Sequence, residues 1–266
     1  MTTGNISTWI FRLYVALIFM FVFAPIVTAV IFSFDTNRFP SLPMGGLTAH
    51  WYDLISVDPN VWEAARISLT VSLISALLAT IIGFGGAYTD FRYNFVGKSL
   101  FLGLALLPPT IPLIIMAVAM LGWFSNFNLS GQVISIIIAH TVLTAPFAMA
   151  VIRLRLNEMD PSLEAAAWNM GASEWRAMRE VILPFTLPAI ISALCLTAAV
   201  SFDEFAIAWF VSGLNKTIPV FILEIFTGNV DPRVNAIGSF VFLTSVTLIV
   251  VSQLLLMPRG KPAGAA

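Results

Sequence analysis

The chain has 266 residues, of which 59% are hydrophobic and 10% charged, with a mean hydropathy of +0.93 and a formal net charge of −1. Soluble domains carry about a quarter charged residues, so this composition excludes one, and the near-neutral balance offers no field for nucleic acid. The single cysteine, Cys195, lies deep in an apolar run, has no internal disulfide partner and reads as a buried free thiol.

Blocks of roughly twenty apolar residues predict an all-α polytopic membrane protein with six transmembrane helices. The blocks are Trp9–Phe34, Ile67–Tyr88, Ser99–Trp123, Gln132–Ile152, Phe185–Val211 and Val234–Met257. The first is too long for a signal-peptide core and no small-x-small cleavage site closes it, so it reads as a span. This divides the chain into a first span with its external loop (1–60), a core of spans (61–257) and a short tail (258–266). No length remains for a soluble catalytic domain.

Basic residues set the expected orientation. With the N-terminus inside, Arg12, Arg92, Lys98, Arg153, Arg155, Arg176, Arg179, Arg259 and Lys261 lie inside, and Arg38, Arg66, Lys216 and Arg233 outside. Both termini are therefore expected in the cytoplasm.

The loop from Asp35 to Glu63 opens with "FPSLPMGG" and carries "HWYDLI" at 50–55, aromatics suited to a membrane interface. His50 lies here and His140 in the fourth span. Neither has metal-ligand spacing to a second histidine or a carboxylate, so surface or packing roles are expected and no metal site. Gly97-Lys98-Ser99 looks like the end of a phosphate-binding loop. The glycine that motif requires is replaced by Arg92, no strand precedes it, and ATP binding by that route is excluded.

In the third span, "LLPPTIPLII" holds Pro108, Pro109 and Pro112. Proline removes a backbone donor and clashes with the preceding turn, so this helix must bend or unwind. Inside a membrane that is tolerated where protein or a water-filled cavity satisfies the freed backbone. A packing kink and a pathway-lining break both remain open. Pro25 in the first span reads as a simple kink.

Residues 153–184 interrupt the apolar text. Asp160 is a good N-cap and Pro161 fits the first helical position. "SLEAAAWNM" continues with helix formers, Gly171 suits a helix C′ position where φ is positive, and Ser173 can cap a second helix, "EWRAMREVIL", that Pro184 ends. The first piece offers Leu163, Ala166, Ala167 and Met170 on one side, and the second Trp175, Met178 and Ile182. Four arginines face five acids between Arg153 and Glu180. A helix pair resting on lipid would carry an excess of basic residues; near-neutral polarity with an alanine patch favours docking to a protein.

The stretch resembles the EAA loop of ABC-importer permeases: Glu-Ala-Ala, three residues, Gly, nine residues, Ile, one residue, Leu-Pro. Counted from Gly171, Val181 stands for the isoleucine and Leu183-Pro184 match. The upstream half is displaced by one: Ala165 stands at the glutamate position, followed by Ala166 and Ala167, and the available acid is Glu164. "ISLTVSLISALLATIIGFGGAY" (67–88), "LLPPTIPLIIMAVAML" (106–121), "SFDEFAIAWFVSG" (201–213) and "NAIGSFVFLTSVTLIVVSQLL" (235–255) resemble the corresponding spans of permeases of the spermidine/putrescine type, and the chain closely resembles the second permease of such systems.

The resemblance implies a type I permease in a bacterial inner membrane, with the loop's helices docked in a groove of a cytoplasmic ATPase. It assigns Glu164, Ala165, Ala166, Ala167, Gly171, Ala172, Glu174 and Trp175 to that contact. Implied partners are an ATPase dimer, a second permease, a periplasmic or extracellular solute-binding protein and membrane lipid. The chain itself would be no enzyme and hold no cofactor, ATP and Mg²⁺ being bound by the partner ATPase. The implied cycle is alternating access driven by ATP.

Asp203 and Glu204 fall inside the fifth span. A mid-membrane carboxylate costs about 2.5–3.5 kcal/mol on insertion scales, so it faces a cavity or a partner. Adjacent residues on a helix point about 100° apart, so the two are expected to divide the work between pathway and structure. Phe202, Phe205 and Trp209 recur on one helix face, a stripe that suits packing or, beside carboxylates, a polycation. Glu224 reads as a residue of an outer loop, either solvated or touching the binding protein. Alternatives are a permease for another organic solute, a membrane enzyme using Asp203 and Glu204 as acid and base, and a stand-alone secondary transporter. The enzyme lacks a visible nucleophile or metal cluster, and the secondary transporter lacks paired internal repeats.

Overall fold

The computed structural model of the chain describes residues 3–39, 41–228 and 232–256, and these are almost entirely helical. In chain order the helices are α1 (Thr3–Phe32), α2 (His50–Val57), α3 (Pro59–Arg92), α4 (Lys98–Ala105), α5 (Leu113–Ser125), α6 (Val133–Asn157) and α7 (Pro161–Asn169). They continue with α8 (Glu174–Ala177), α9 (Leu183–Asp203), α10 (Ala206–Val211), α11 (Ile218–Gly228) and α12 (Arg233–Leu256). A 3-10 turn at Pro108–Thr110 follows α4, and a π-turn at Met178–Ile182 joins α8 to α9.

Five helices among the described residues are long and apolar enough to cross a membrane: Thr8–Phe32, Pro59–Arg92, Val133–Asn157, Glu174–Asp203 and Arg233–Leu254. The remaining expected span, the third (Ser99–Trp123), is present in two pieces, α4 and α5. Ile111 and Pro112 between them are extended, with ψ of 132° and 125°. A proline pushes the residue before it out of the helical region, so Pro112 forces the opening at Ile111. The tail 258–266, with Arg259 and Lys261, lies outside the described residues.

Two further expectations are corrected. The fifth span does not run unbroken to Val211; it stops at Asp203 and resumes at Ala206. Glu224 lies in a helix, α11, rather than a loop.

The chain divides into two compact units. The first comprises Met1–Trp62 and Phe221–Leu243. Here α1 carries apolar side chains that are exposed within this chain almost along its length, as a lipid-facing or subunit-facing helix must be. The loop after it folds around Asp35, whose Oδ1 accepts the N–H groups of Asn37 (3.0 Å) and Gly45 (3.1 Å). Trp51 Nε1 donates to the Asp35 carbonyl at 2.7 Å, and the Tyr52 and Ser33 hydroxyls lie 2.7 Å apart. The aromatics of "HWYDLI" therefore pin α2 to this loop.

The second unit comprises Glu63–Val220 and Thr244–Ala266. Along α3, Ala64, Ser68, Ser72, Ser75, Ala76, Ala79, Gly83 and Ala87 are buried. Small residues at helical spacing let backbones approach, which is how helices associate where lipid removes the hydrophobic drive. At Gly83 the approach is closest: an added Cβ would lie 2.6 Å from Met149 N and 2.7 Å from Ala148 Cβ, both on α6. Helix α6 also packs along α9. One apolar cluster gathers Val71, Phe124, Ile136, Ile207 and Val211, and another Ala87, Met149, Ile152, Leu156 and Ile182. Cys195 on α9 is half-buried rather than fully buried.

Candidate functional site

The interruption at 153–184 folds as local chemistry dictates. Asp160 caps α7 by accepting the Ser162 N–H at 2.9 Å, and that backbone hydrogen bond holds its carboxyl below the usual range. Gly171 adopts φ +83° just past the end of α7, and Ser173 caps α8 by accepting the Arg176 N–H at 3.3 Å. Pro184 does not end the second helix, contrary to expectation. Residues Glu174–Asp203 run on as one element. The π-turn at Met178–Ile182 interrupts the regular α ladder just before Pro184, so the proline falls in the opening turn of α9, where the register has already changed.

The expected docking stripe is also redistributed. Ala167 is buried and Ala177 and Ile182 lie inside, whereas Leu163, Ala165, Ala166, Met170 and Trp175 are exposed. Met170 and Trp175 are 83% and 72% exposed, large apolar surfaces at the tip of the loop. Ala172 is half-buried, and Glu174 is exposed.

Glu164 goes the other way and is only 8% exposed. Its Oε1 lies 3.4 Å from Nε of Arg92, the last residue of α3. The same guanidinium sits 4.8 Å from the centre of the Trp168 ring, a cation–π distance, and 3.9 Å from Glu174. In the same turn of α3, Asp90 is ion-paired with Arg153 of α6 and with Lys98 at the start of α4, the latter at 3.3 Å. The end of α3 thus ties four neighbouring elements by charge.

The two carboxylates of the fifth span part company at the helix break. Glu204 is 7% exposed and turns into the protein. Its carboxylate accepts the N–H groups of Ile207 (2.9 and 3.0 Å) and Ala208 (3.0 Å), capping α10. His140 Nε2 lies 3.3 Å from Glu204 Oε2, off the line of a good hydrogen bond. On its other side His140 Nδ1 is 2.8 Å from the Ser201 hydroxyl, which is 2.8 Å from that of Ser75. The chain Ser75–Ser201–His140–Glu204 therefore joins α3, α9 and α6 at the break.

Asp203, by contrast, is exposed within this chain. The aromatic stripe does not form on one face, because the break intervenes. Phe202 is buried, while Phe205 and Trp209 are exposed with ring centroids 6.0 Å apart. Sequence reasoning missed His140 and Arg92 as partners of these carboxylates. A signal existed for His140: an ionisable side chain amid Ser135, Thr141 and Thr144 in a span belongs to a buried polar network. Arg92 gave no such signal beyond its place at a helix end.

Comparison with known proteins agrees with this architecture. Residues 75–259 match the family model described as "Binding-protein-dependent transport system inner membrane component". The chain is 33% identical over 239 residues to the spermidine/putrescine transport system permease protein PotC of Haemophilus influenzae, covering 90% of this chain and 93% of that one. It is 29% identical over 255 residues to the putrescine transport system permease protein PotI of Escherichia coli, covering 91% and 89%. The fold matches a bacterial ABC transporter that imports the acidic polysaccharide alginate, with TM-score 0.70, 16% identity and coverage of 96% and 97%. With the family matched across most of its length and several helices able to span a membrane, the chain belongs to the inner-membrane components of binding-protein-dependent transport systems and is a multi-pass permease subunit of an ABC importer.

Proposed function

We propose that this chain forms half of the translocation pathway of an ATP-driven importer whose cargo is a polyamine such as spermidine or putrescine. The observation that carries the cargo is the pair of polyamine permeases to which the chain is similar over nine-tenths of its length. Asp203 supports it: an exposed carboxylate two residues before Phe205, whose exposed ring lies 6.0 Å from that of Trp209, offers charge and cation–π attraction to a polycation.

The partners follow the same reading. An ATPase dimer, holding ATP and Mg²⁺, docks on the exposed tip of the 153–184 loop through Ala165, Ala166, Gly171, Ala172, Glu174 and Trp175. A second permease completes the pathway, and a solute-binding protein delivers the cargo from outside. The excess of basic residues in alternate loops favours cytoplasmic termini and a cytoplasmic loop. This chain contributes no catalytic group; its coupling depends on contacts that differ between inward- and outward-open states.

The test is uptake of spermidine into proteoliposomes holding the complete transporter, with thermal-shift screening of its binding protein. Uptake that requires ATP, and a binding protein stabilised by polyamines, is the expected result. Uptake driven by an ion gradient without ATP would reject the importer, and a binding protein answering only anionic solutes would reject the cargo.

A further inference from the structure

In the loop pattern that this stretch resembles, the glutamate stands six residues before the glycine. Here that position is Ala165, which is exposed, and the acid is one residue earlier. One residue on an α-helix is a rotation of about 100°. A carboxylate at 164 is therefore on the inner face of α7, whereas position 165 is on the outer face. Glu164 is 8% exposed, and its oxygen faces Arg92 at 3.4 Å rather than the surface a partner would meet.

Arg92 is well placed to use it. It ends α3, lies over Trp168 of α7 and approaches Glu174 of α8, so one guanidinium touches both helices of the loop. Two residues before it, Asp90 fixes the same turn of α3 to α4 and α6. A displacement of the loop is thus delivered to the end of α3 through one guanidinium, in addition to the continuous run of α8 into α9. A half-buried ion pair suits this role, because removing one partner leaves the other charge uncompensated.

We infer that Glu164 and Arg92 form an internal link that positions the loop on α3 and carries its motion into the membrane, and that Glu164 makes no contact with the ATPase. The inference rests on the importer reading for its consequence, though not for its geometry. Both are positioning residues.

The test uses the purified full-length permease pair with its ATPase and three readouts: hydrogen exchange of the amides of 161–177, copurification of the ATPase, and spermidine uptake per ATP hydrolysed. In Glu164→Gln and Arg92→Gln, exchange across the loop is expected to rise about fivefold and uptake per ATP to fall by a similar factor, with ATPase copurification unchanged. The charge-swapped double variant Arg92→Glu/Glu164→Arg is expected to recover most of both losses. Glu164→Ala/Ala165→Glu, which moves the acid to the exposed position, is expected to behave like Glu164→Ala. Unchanged exchange in both single variants, a swap no better than its parents, or recovery on moving the glutamate to 165 overturns the link. So does loss of the ATPase from Glu164→Gln with retention in Arg92→Gln. Absence of uptake by the wild-type transporter counts against the polyamine importer alone, since exchange and copurification decide the link without cargo.

Discussion

His140 on α6 and Glu204 at the end of α9 lie 3.3 Å apart inside the protein, Nε2 to Oε2. Glu204 also accepts backbone N–H groups of the next helix, while its neighbour Asp203 stays exposed. Two adjacent acids are thereby given different surroundings: one holds a helix break together, and the other reaches the surface of this chain beside Ser245 of α12.

Stability and transport should separate between these acids. Glu204→Ala leaves two buried N–H groups unpaired, at about 1–3 kcal/mol each, and should lower the melting temperature in detergent whatever the cargo. Asp203→Asn should leave melting unchanged and reduce polyamine uptake at subsaturating concentration. A melting loss confined to Asp203→Asn would reverse the assignment.

Gly171 isolates backbone strain. An added Cβ there meets nothing within 4 Å, so only φ +83° resists substitution. Gly171→Asn should transport nearly as wild type, because asparagine tolerates the left-handed region. Gly171→Ala should cost about 1–2 kcal/mol locally, and Gly171→Val more. Uptake per ATP should fall in that order with the transmembrane fold intact by circular dichroism. Wild-type coupling in Gly171→Val would count strongly against this loop as the coupling element.

At Gly213 the restraint is steric as well. Its φ is +58°, and a Cβ would lie 2.7 Å from Gly131 Cα, a backbone atom that side-chain motion cannot relieve. Asn215 Nδ2 binds the Gly131 carbonyl at 2.7 Å and closes the same junction. Gly213→Ala should destabilise by about 2 kcal/mol or more, read as a lower melting temperature, with Asn215→Ala milder.

The cap of α7 should respond to acid. The Asp160 carboxyl is lowered from its ordinary 3.8 by the Ser162 N–H. A depressed folded value contributes stability that is complete above the unfolded value and is lost as pH falls through the folded one. Protection of the first-turn amides of α7, after correction for the intrinsic exchange rate, should therefore fall below about pH 4, and Asp160→Asn should remove that dependence. The same loss of protection in Asp160→Asn would assign it to another group.

Much of the loop was legible because its signals are local. Asp160, Ser173 and Gly171 act within a turn of themselves, so residue type and spacing suffice to predict two capped helices around a left-handed glycine. The opening of the third span follows from Pro112 acting on Ile111. Pro184 misled for a reason of the same scale: the rule that proline ends a helix assumes an unbroken α ladder, and the π-turn before it changes the register.

What composition and periodicity determined was a membrane protein of spanning helices with one polar, capped interruption, since length in lipid and backbone satisfaction depend on the chain alone. The break at Glu204 and Phe205 carries no proline or glycine and is held by a side chain folded back on the next helix. The pairing of Glu164 with Arg92, and of Glu204 with His140, joins residues remote in sequence. Only the packing of helices could decide these, because the partner of a buried charge is whichever group the neighbouring helix brings within a few ångströms.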